Sequence, residues 1–235
     1  GGTGTGSLPV IAKLAKERGA LTIAIVTLPF NNEGARRTKN ARLGLDRLRK
    51  CADTVIVIPN DRLLQEEIMN LPLNLAFRQA DEILGNAIKC MTEITSQGGL
   101  VNIDFADMRS IMDGGGVAMI GMGEGQGPNR ASDAVIAALT SPLLELDIGE
   151  SEGALVNVTG GDDMTLQEAH EVVREVHSKI NKDARIIWGA SIDSTLEYQI
   201  RVMLVVTGVK SPQILGPPSG EDDGLQNRYG IEFVQ

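Results

Sequence analysis

Residues 21–58 read LTIAIVTLPFNNEGARRTKNARLGLDRLRKCADTVIVI, and the order of element types within them sets the fold class. LTIAIVTL (21–28) is a continuous apolar, β-branched run of strand length, the pattern of a strand buried on both faces. TVIVI (54–58) is a second such run, ended by Pro59. Between them a polar loop, PFNNEG, gives way to residues 35–50, which read as a helix with Leu43, Leu45 and Leu48 as its apolar contacts. Parallel strands need a crossover connection and are covered on both faces, so this order predicts a βαβ unit and a parallel sheet.

On the N-terminal side, residues 7–18 (SLPVIAKLAKER) read as a helix with Ser7 as N-cap, Pro9 in its first turn and Gly19 closing it. Residues 1–6 read as a glycine-rich loop. On the C-terminal side, Leu73, Phe77, Ala80, Leu84, Ala87, Ile88 and Met91 recur at spacings mostly of three and four, which predicts a helix over residues 72–96 with one buried face. Gly98 and Gly99 supply its stop signal. At 1.5 Å per residue such a helix spans about 35 Å, long enough to connect two domains.

Beyond Asn102 the grammar changes. Residues 114–127 are dense in glycine around one strand candidate, VAMIG (117–121). Residues 130–139 and 166–180 read as helices, and GALVNVT (153–159), ARIIWGA (184–190) and RVMLVVTG (201–208) as strands, a second α+β unit. From residue 211 onward Pro, Gly and acidic residues dominate, which reads as a flexible tail with an apolar end, YGIEFVQ.

The composition is that of an ordinary globular chain: 235 residues, 42% hydrophobic and 23% charged. Aromatics make up only 3%, so the cores must be aliphatic. With 22 basic against 31 acidic residues the net charge is -9, which argues against general nucleic-acid or anionic-membrane binding. It does not exclude a single nucleotide, whose phosphates backbone N–H groups and a metal ion can hold. Cys51 and Cys90 sit at apolar-flanked positions and read as buried free thiols of a reducing cytosol. No apolar run approaches the ~20 residues of a membrane span, and no signal segment opens the chain. His170 and His177 lie seven apart on a predicted helix with no third ligand nearby and read as surface residues, so no metal site is assigned. Met119 and Met122 read as core filler.

The first chemical signal is GGTGTG at residues 1–6. Glycines allow positive φ and close backbone approach, so successive N–H groups can converge on an anion, and the following helix adds its positive end. No Lys stands in a GK[ST] arrangement, so this is not a Walker P-loop. Taken alone, the hexapeptide reads sooner as an unstructured terminus.

Its context changes that reading. GGTGTGSLPVIAKLAKE resembles the signature loop and helix of the tubulin/FtsZ family of polymerising GTPases. PFNNEGARR (29–37), IPNDRLL (58–64) and NIDFADMRSIM (102–112) follow in the family's order, the last close to its synergy loop. SPLL (141–144) and RVMLVVTG also fit, so the resemblance covers the chain up to the tail.

The resemblance implies an α/β fold of tubulin/FtsZ type: a partial Rossmann-like GTPase domain (1–71), a long central helix and loop (72–101), and an α+β domain with a mixed four-stranded sheet (102–210), then the tail (211–235). It implies GTP or GDP as ligand, with Mg2+ or K+ beside it. Gly1, Gly2, Thr3, Gly4, Thr5 and Gly6 would lie along the phosphates. Glu33 and Arg37 would meet the ribose and nearby phosphate oxygens, where their residue types alone suggest only a solvated charge pair. Phe77 would stack on guanine and Asp81, one turn later, accept from its N–H edge; otherwise these are a core aromatic and a surface charge. Asn102, Asp104 and Asp107 would serve hydrolysis. Without the resemblance, carboxylates three residues apart at a helix start read as satisfying the macrodipole.

In the family that loop inserts into the next subunit's site, so an active site forms only at a head-to-tail contact between copies, in the cytoplasm at the division site. The tail, through Ile231, Phe233 and Val234, would dock on a membrane-tethering adaptor. The match begins part-way into the family's nucleotide domain. Two strands cannot make a stable parallel sheet alone, so these 235 residues by themselves are expected to bind GTP poorly and to be inactive. Two further readings stand beside this one: a non-hydrolysing scaffold of the tubulin superfamily, against which the intact Asp104 and Asp107 count, and a fragment that caps filaments. A dinucleotide dehydrogenase is disfavoured, since no GxGxxG follows a strand.

Overall fold

The computed structural model describes residues 2–63, 73–96, 99–144, 148 and 151–209. The readings made for Gly1, Gly98 and the tail, adaptor docking included, lie outside the described residues.

Six strands form one sheet in the order β1-β2-β3-β6-β4-β5. β1 (Ile23–Leu28) and β2 (Thr54–Pro59) are parallel in register from Ile23↔Thr54 to Leu28↔Pro59, joined through α2 (Ala35–Arg49). β3 (Gly116–Gln126) runs antiparallel to β6 (Gln199–Thr207). β6 is antiparallel to β4 (Gly153–Gly160), which pairs in parallel with β5 (Arg185–Ile192). These four make the expected mixed sheet.

The pair β1–β2 does not stand alone. The start of β2 pairs in parallel with the start of β3, through Thr54↔Gly116, Val55↔Val117 and Ile56↔Ala118. β2 thereby becomes an interior strand, with Val55, Ile56, Val57 and Ile58 all at most 1% exposed. The isolated two-stranded sheet expected from sequence is replaced by one continuous sheet, because β2 finds its missing partner in the second unit.

Alternation along the strands feeds two cores. Val55 and Val57 join Ala12 of α1 (Gly2–Glu17), Leu45 and Leu48 of α2, Val135 of α5 (Arg130–Leu139) and Val172 of α6 (Leu166–Lys179) on one face. Ile56 and Ile58 join Ala87, Cys90, Met91 and Ile94 of α3 (Leu73–Ser96) and Met108, Ile111 and Met112 of α4 (Phe105–Met112) on the other. Burial pushes the Cys90 thiol above its ordinary pKa. Ile88, expected in the buried stripe of α3, is instead exposed, while Cys90 and Ile94 are buried.

Two glycine-rich stretches depart from the sequence reading. Residues 2–6 are the first turns of α1 rather than a loop, and the Ser7 hydroxyl donates to the Thr3 carbonyl at 2.9 Å instead of capping the helix. Pro9 therefore lies inside the helix. At the other stretch, β3 continues through Gly121, Gly123 and Gly125 to Gln126. Those glycines share one strand face, and a Cβ on any of them would collide with backbone atoms of α5: Ala138, Ala134 and Arg130 respectively. Their absence of side chains lets α5 lie directly on the strand.

The start of α5 is fastened by Arg130, 6% exposed. Its guanidinium donates Nε–H to Glu168 at 2.6 Å and ion-pairs with Asp163, tying α5 to the loop before α6. Thr165 caps α6 and forms a capping box with Glu168. Hydrogen bonds from Arg130, opposed by burial and reinforced by Thr165, hold the Glu168 carboxyl at about 2.

Candidate functional site

At the carboxyl ends of β1 and β2 the chain makes two short turns, Asn31–Glu33 and Asn60–Leu63. Open α/β sheets bind ligands at this end of their parallel strands. The turns are clasped together: the Asn31 N–H donates to Asp61 Oδ1 at 2.9 Å. Glu33 folds back to accept the Phe30 N–H at 3.0 Å and ion-pairs with Arg37 in the first turn of α2. Gly34, at φ 96, makes the sharp entry into α2 that a side chain would resist. Beside them the Asn60 Oδ1 is buried and accepts no hydrogen bond among the described residues. A buried acceptor without a donor is destabilising, so this oxygen calls for an ordered water or a ligand group beside it. From sequence Asn60 has no assigned role; an Asn just past a buried strand end is its one signal.

The glycine-rich turn of α1 contributes differently. Gly2, Gly4 and Gly6 have no positive φ, and none would meet a closer neighbour than 4.0 Å on gaining a Cβ. Nothing in this helical arrangement requires glycine. Thr5 is spoken for, since its side chain packs where a Cβ on Gly44 of α2 would sit. Among the described residues no hydrogen bond or ion pair joins Gly2, Thr3 or Gly4 to Glu33, Arg37 or Asn60. Asp81 is exposed on α3; the side chain of Phe77 is outside the described residues, its backbone one turn earlier on the same helix.

A second group forms around the start of α4. Asp104 is its N-cap, with Oδ1 accepting the Asp107 N–H at 2.6 Å. The macrodipole role foreseen for this carboxylate is thus real, and it uses one of two oxygens. Asn102 Oδ1 accepts the Gly99 N–H at 2.5 Å, and Val101 bridges to Ala190 of β5, which fixes the loop that presents Asp104. Asn102, Asp104 and Asp107 are all exposed.

The two groups do not meet. α1 and α2 pack on one face of the sheet and α4 on the other. No hydrogen bond or ion pair joins Asp104 or Asp107 to Glu33, Arg37 or Asn60 among the described residues. Nor do those residues contain a cluster of three His, Cys, Asp or Glu placed to hold a metal.

Residues 1–67 match the profile of the Tubulin/FtsZ family GTPase domain, and residues 116–210 that of the FtsZ family C-terminal domain. The chain belongs to the FtsZ family. It is 57% identical over 235 residues to the cell division protein FtsZ 1 of Archaeoglobus fulgidus, covering 100% of this chain and 63% of that protein. Against the cell division protein FtsZ of Methanothermobacter thermautotrophicus it is 58% identical over 229 residues, covering 97% and 60%. A solved FtsZ dimer, empty, from M. jannaschii superposes with a TM-score of 0.86 at 54% identity, covering 89% of this chain and 61% of that one. GDP-bound CetZ1 from Haloferax volcanii, at 20% identity and a TM-score of 0.75, shares the fold. The chain thus spans about three fifths of the length of the relatives it matches. No described helix is long and apolar enough to cross a membrane.

Proposed function

We propose that the protein is a GTP-binding, GTP-hydrolysing subunit of a head-to-tail filament, acting in the cytoplasm at the division site, with each active site shared between two copies. The observation that carries this reading is the division of the candidate residues between two faces of one sheet. A single copy cannot bring Asp104 and Asp107 to a phosphate held near Glu33 and Arg37. A second copy, presenting its own α4 start, can. Such heterologous contacts repeat without closing and so propagate into filaments.

The residues at the carboxyl ends of β1 and β2 fit GTP. Asn60 Oδ1 is an acceptor in need of a donor, and the guanine edge carries N–H donors. Asp81, exposed on α3, adds an acceptor for the same edge, with Phe77 as its stacking surface. Arg37 would move from Glu33 to a phosphate oxygen, leaving Glu33 for the ribose. Gly2, Thr3, Gly4, Thr5 and Gly6 would unwind from α1 and, with Gly1, offer their N–H groups to the phosphates, the role that gives those glycines a reason. A bound Mg2+ or K+ would spread the charge of the phosphates.

Hydrolysis breaks the bond between the β–γ bridging oxygen and the γ-phosphorus, and water supplies the new oxygen. The free oxygen of Asp104 and the carboxylate of Asp107 orient and polarise that water, and Asn102 holds the loop in shape. Phosphoryl transfer depends mainly on positioning and charge stabilisation, so correct placement of the two carboxylates matters more than a strong base. The tail as a dock for a membrane-tethering adaptor belongs to the same proposal.

The test is GTP turnover per subunit against protein concentration, beside an Asp104→Ala, Asp107→Ala double variant. Turnover should appear above a threshold concentration and vanish in the variant, which should still bind GTP. Turnover per subunit independent of concentration would refute the shared site.

A further inference from the structure

α4 is fastened at its C-terminal end by the half of the chain that carries the glycine-rich turn. The Thr54 hydroxyl, fully buried at the start of β2, donates to the Met112 carbonyl in the last turn of α4. Next to it Asp53, 7% exposed, accepts Lys16 at 2.6 Å and the Thr22 N–H at 2.8 Å, which pins the end of α1 to the same corner. Arg109 of α4 reaches around the sheet's rim and donates to the Gly19 carbonyl, just past α1, at 3.3 Å. Its guanidinium also lies 5.4 Å from the ring centre of Phe105, which is 55% exposed. A cation at a helix C-terminus is where the macrodipole favours it.

The corner therefore joins the far ends of two helices whose near ends carry the candidate groups: residues 2–6 on α1, and Asp104 on α4. We propose that Thr54 and Arg109 are positioning residues, which transmit the pose of α1 to α4 and thereby set how Asp104 and Asp107 enter the neighbouring copy's site. This rests on the shared site proposed above. A shift of α1 when its glycine turn closes on phosphates would move Gly19, and Arg109 would carry that shift to α4. The mechanism works through position alone, since neither residue meets the nucleotide.

The test compares Arg109→Ala, Arg109→Lys, Thr54→Val and Asp104→Ala in the whole protein. Turnover is measured at saturating GTP, and GTP affinity below the assembly concentration. Arg109→Ala and Thr54→Val should each lower kcat about tenfold while Kd for GTP stays within about twofold. Arg109→Lys, which keeps a cation over Phe105 and at the end of α1, should recover most of the loss. Unchanged kcat in Arg109→Ala, with Asp104→Ala inactive, would overturn the corner and leave the shared site standing. A loss that follows melting temperature across all three corner variants, Arg109→Lys included, would reduce the corner to a structural role. Full turnover in Asp104→Ala would remove the shared site and the corner together.

Discussion

The chain has two stretches with a glycine at every second position, and they are glycine for opposite reasons. At Gly121, Gly123 and Gly125 the fold itself demands it, because a Cβ would collide with the backbone of α5. At Gly2, Gly4 and Gly6 there is room for a Cβ, yet each glycine weakens the helix it occupies by about 1 kcal/mol relative to Ala. A residue type that a structure requires records packing. One that it merely tolerates, at a cost, points to another conformation or a ligand. The same logic separates Asn157, buried with its amide donating to Thr159 at 3.2 Å, from Asn60, whose buried oxygen has no donor among the described residues.

The largest effect should come from the packed stretch. Gly123→Ala forces a methyl group against the Ala134 carbonyl and the Ala138 N–H, both backbone, and should destabilise the protein by about 3 kcal/mol in a denaturant titration. A change under about 0.5 kcal/mol would mean that α5 is not seated on β3 as described. Gly4→Ala should behave in the opposite way. It should raise stability by up to about 1 kcal/mol through helix propensity and weaken GTP binding by up to about fivefold, since the turn resists unwinding. Unchanged GTP affinity with raised stability would make this stretch an ordinary helix start.

The smallest effect is a pH dependence at the packed stretch. Glu168 titrates at about 2 in the fold against an ordinary 4.5, so its contribution is present above the ordinary value and is lost as pH falls towards 2. Melting temperature should fall on acidification through that window, and the slope should flatten in Arg130→Met, whose overall stability is lower by about 2 kcal/mol. An equal slope in both proteins would place the acid sensitivity elsewhere, with Asp53 the next group to test, since Lys16 and the Thr22 N–H outweigh its burial and hold its pKa low.

The parts of the fold that were legible in the sequence are those governed by local pattern. β1, α2 and β2 follow from two apolar runs around a helical segment, and residues 166–180 read as the helix α6, one residue longer than it is. The single sheet was not legible, because Thr54↔Gly116 pairs residues 62 positions apart and no turn signal announces it. The full length of β3 was hidden by its glycines, which read as loop until α5 is seen against them. The helical start of α1 was missed because glycine and Pro9 both argue against it locally. At the site, the residue types of Glu33, Arg37, Asp104 and Asp107 were visible, and their partition between two faces was not. Asn60 was invisible for another reason: what marks it is an unmet hydrogen bond, which only the fold reveals.

The most direct test of the shared site is complementation between two inactive variants. One lacks the carboxylates, Asp104→Ala with Asp107→Ala, and keeps the nucleotide end. The other, Arg37→Ala with Asp81→Ala, lacks the proposed nucleotide contacts and keeps the carboxylates. Each alone should turn over no GTP, and an equal mixture should recover about one quarter of wild-type turnover, the share of random head-to-tail contacts that join two intact halves. A mixture no more active than its separate components, alongside an active wild type, would show that each copy hydrolyses its own nucleotide.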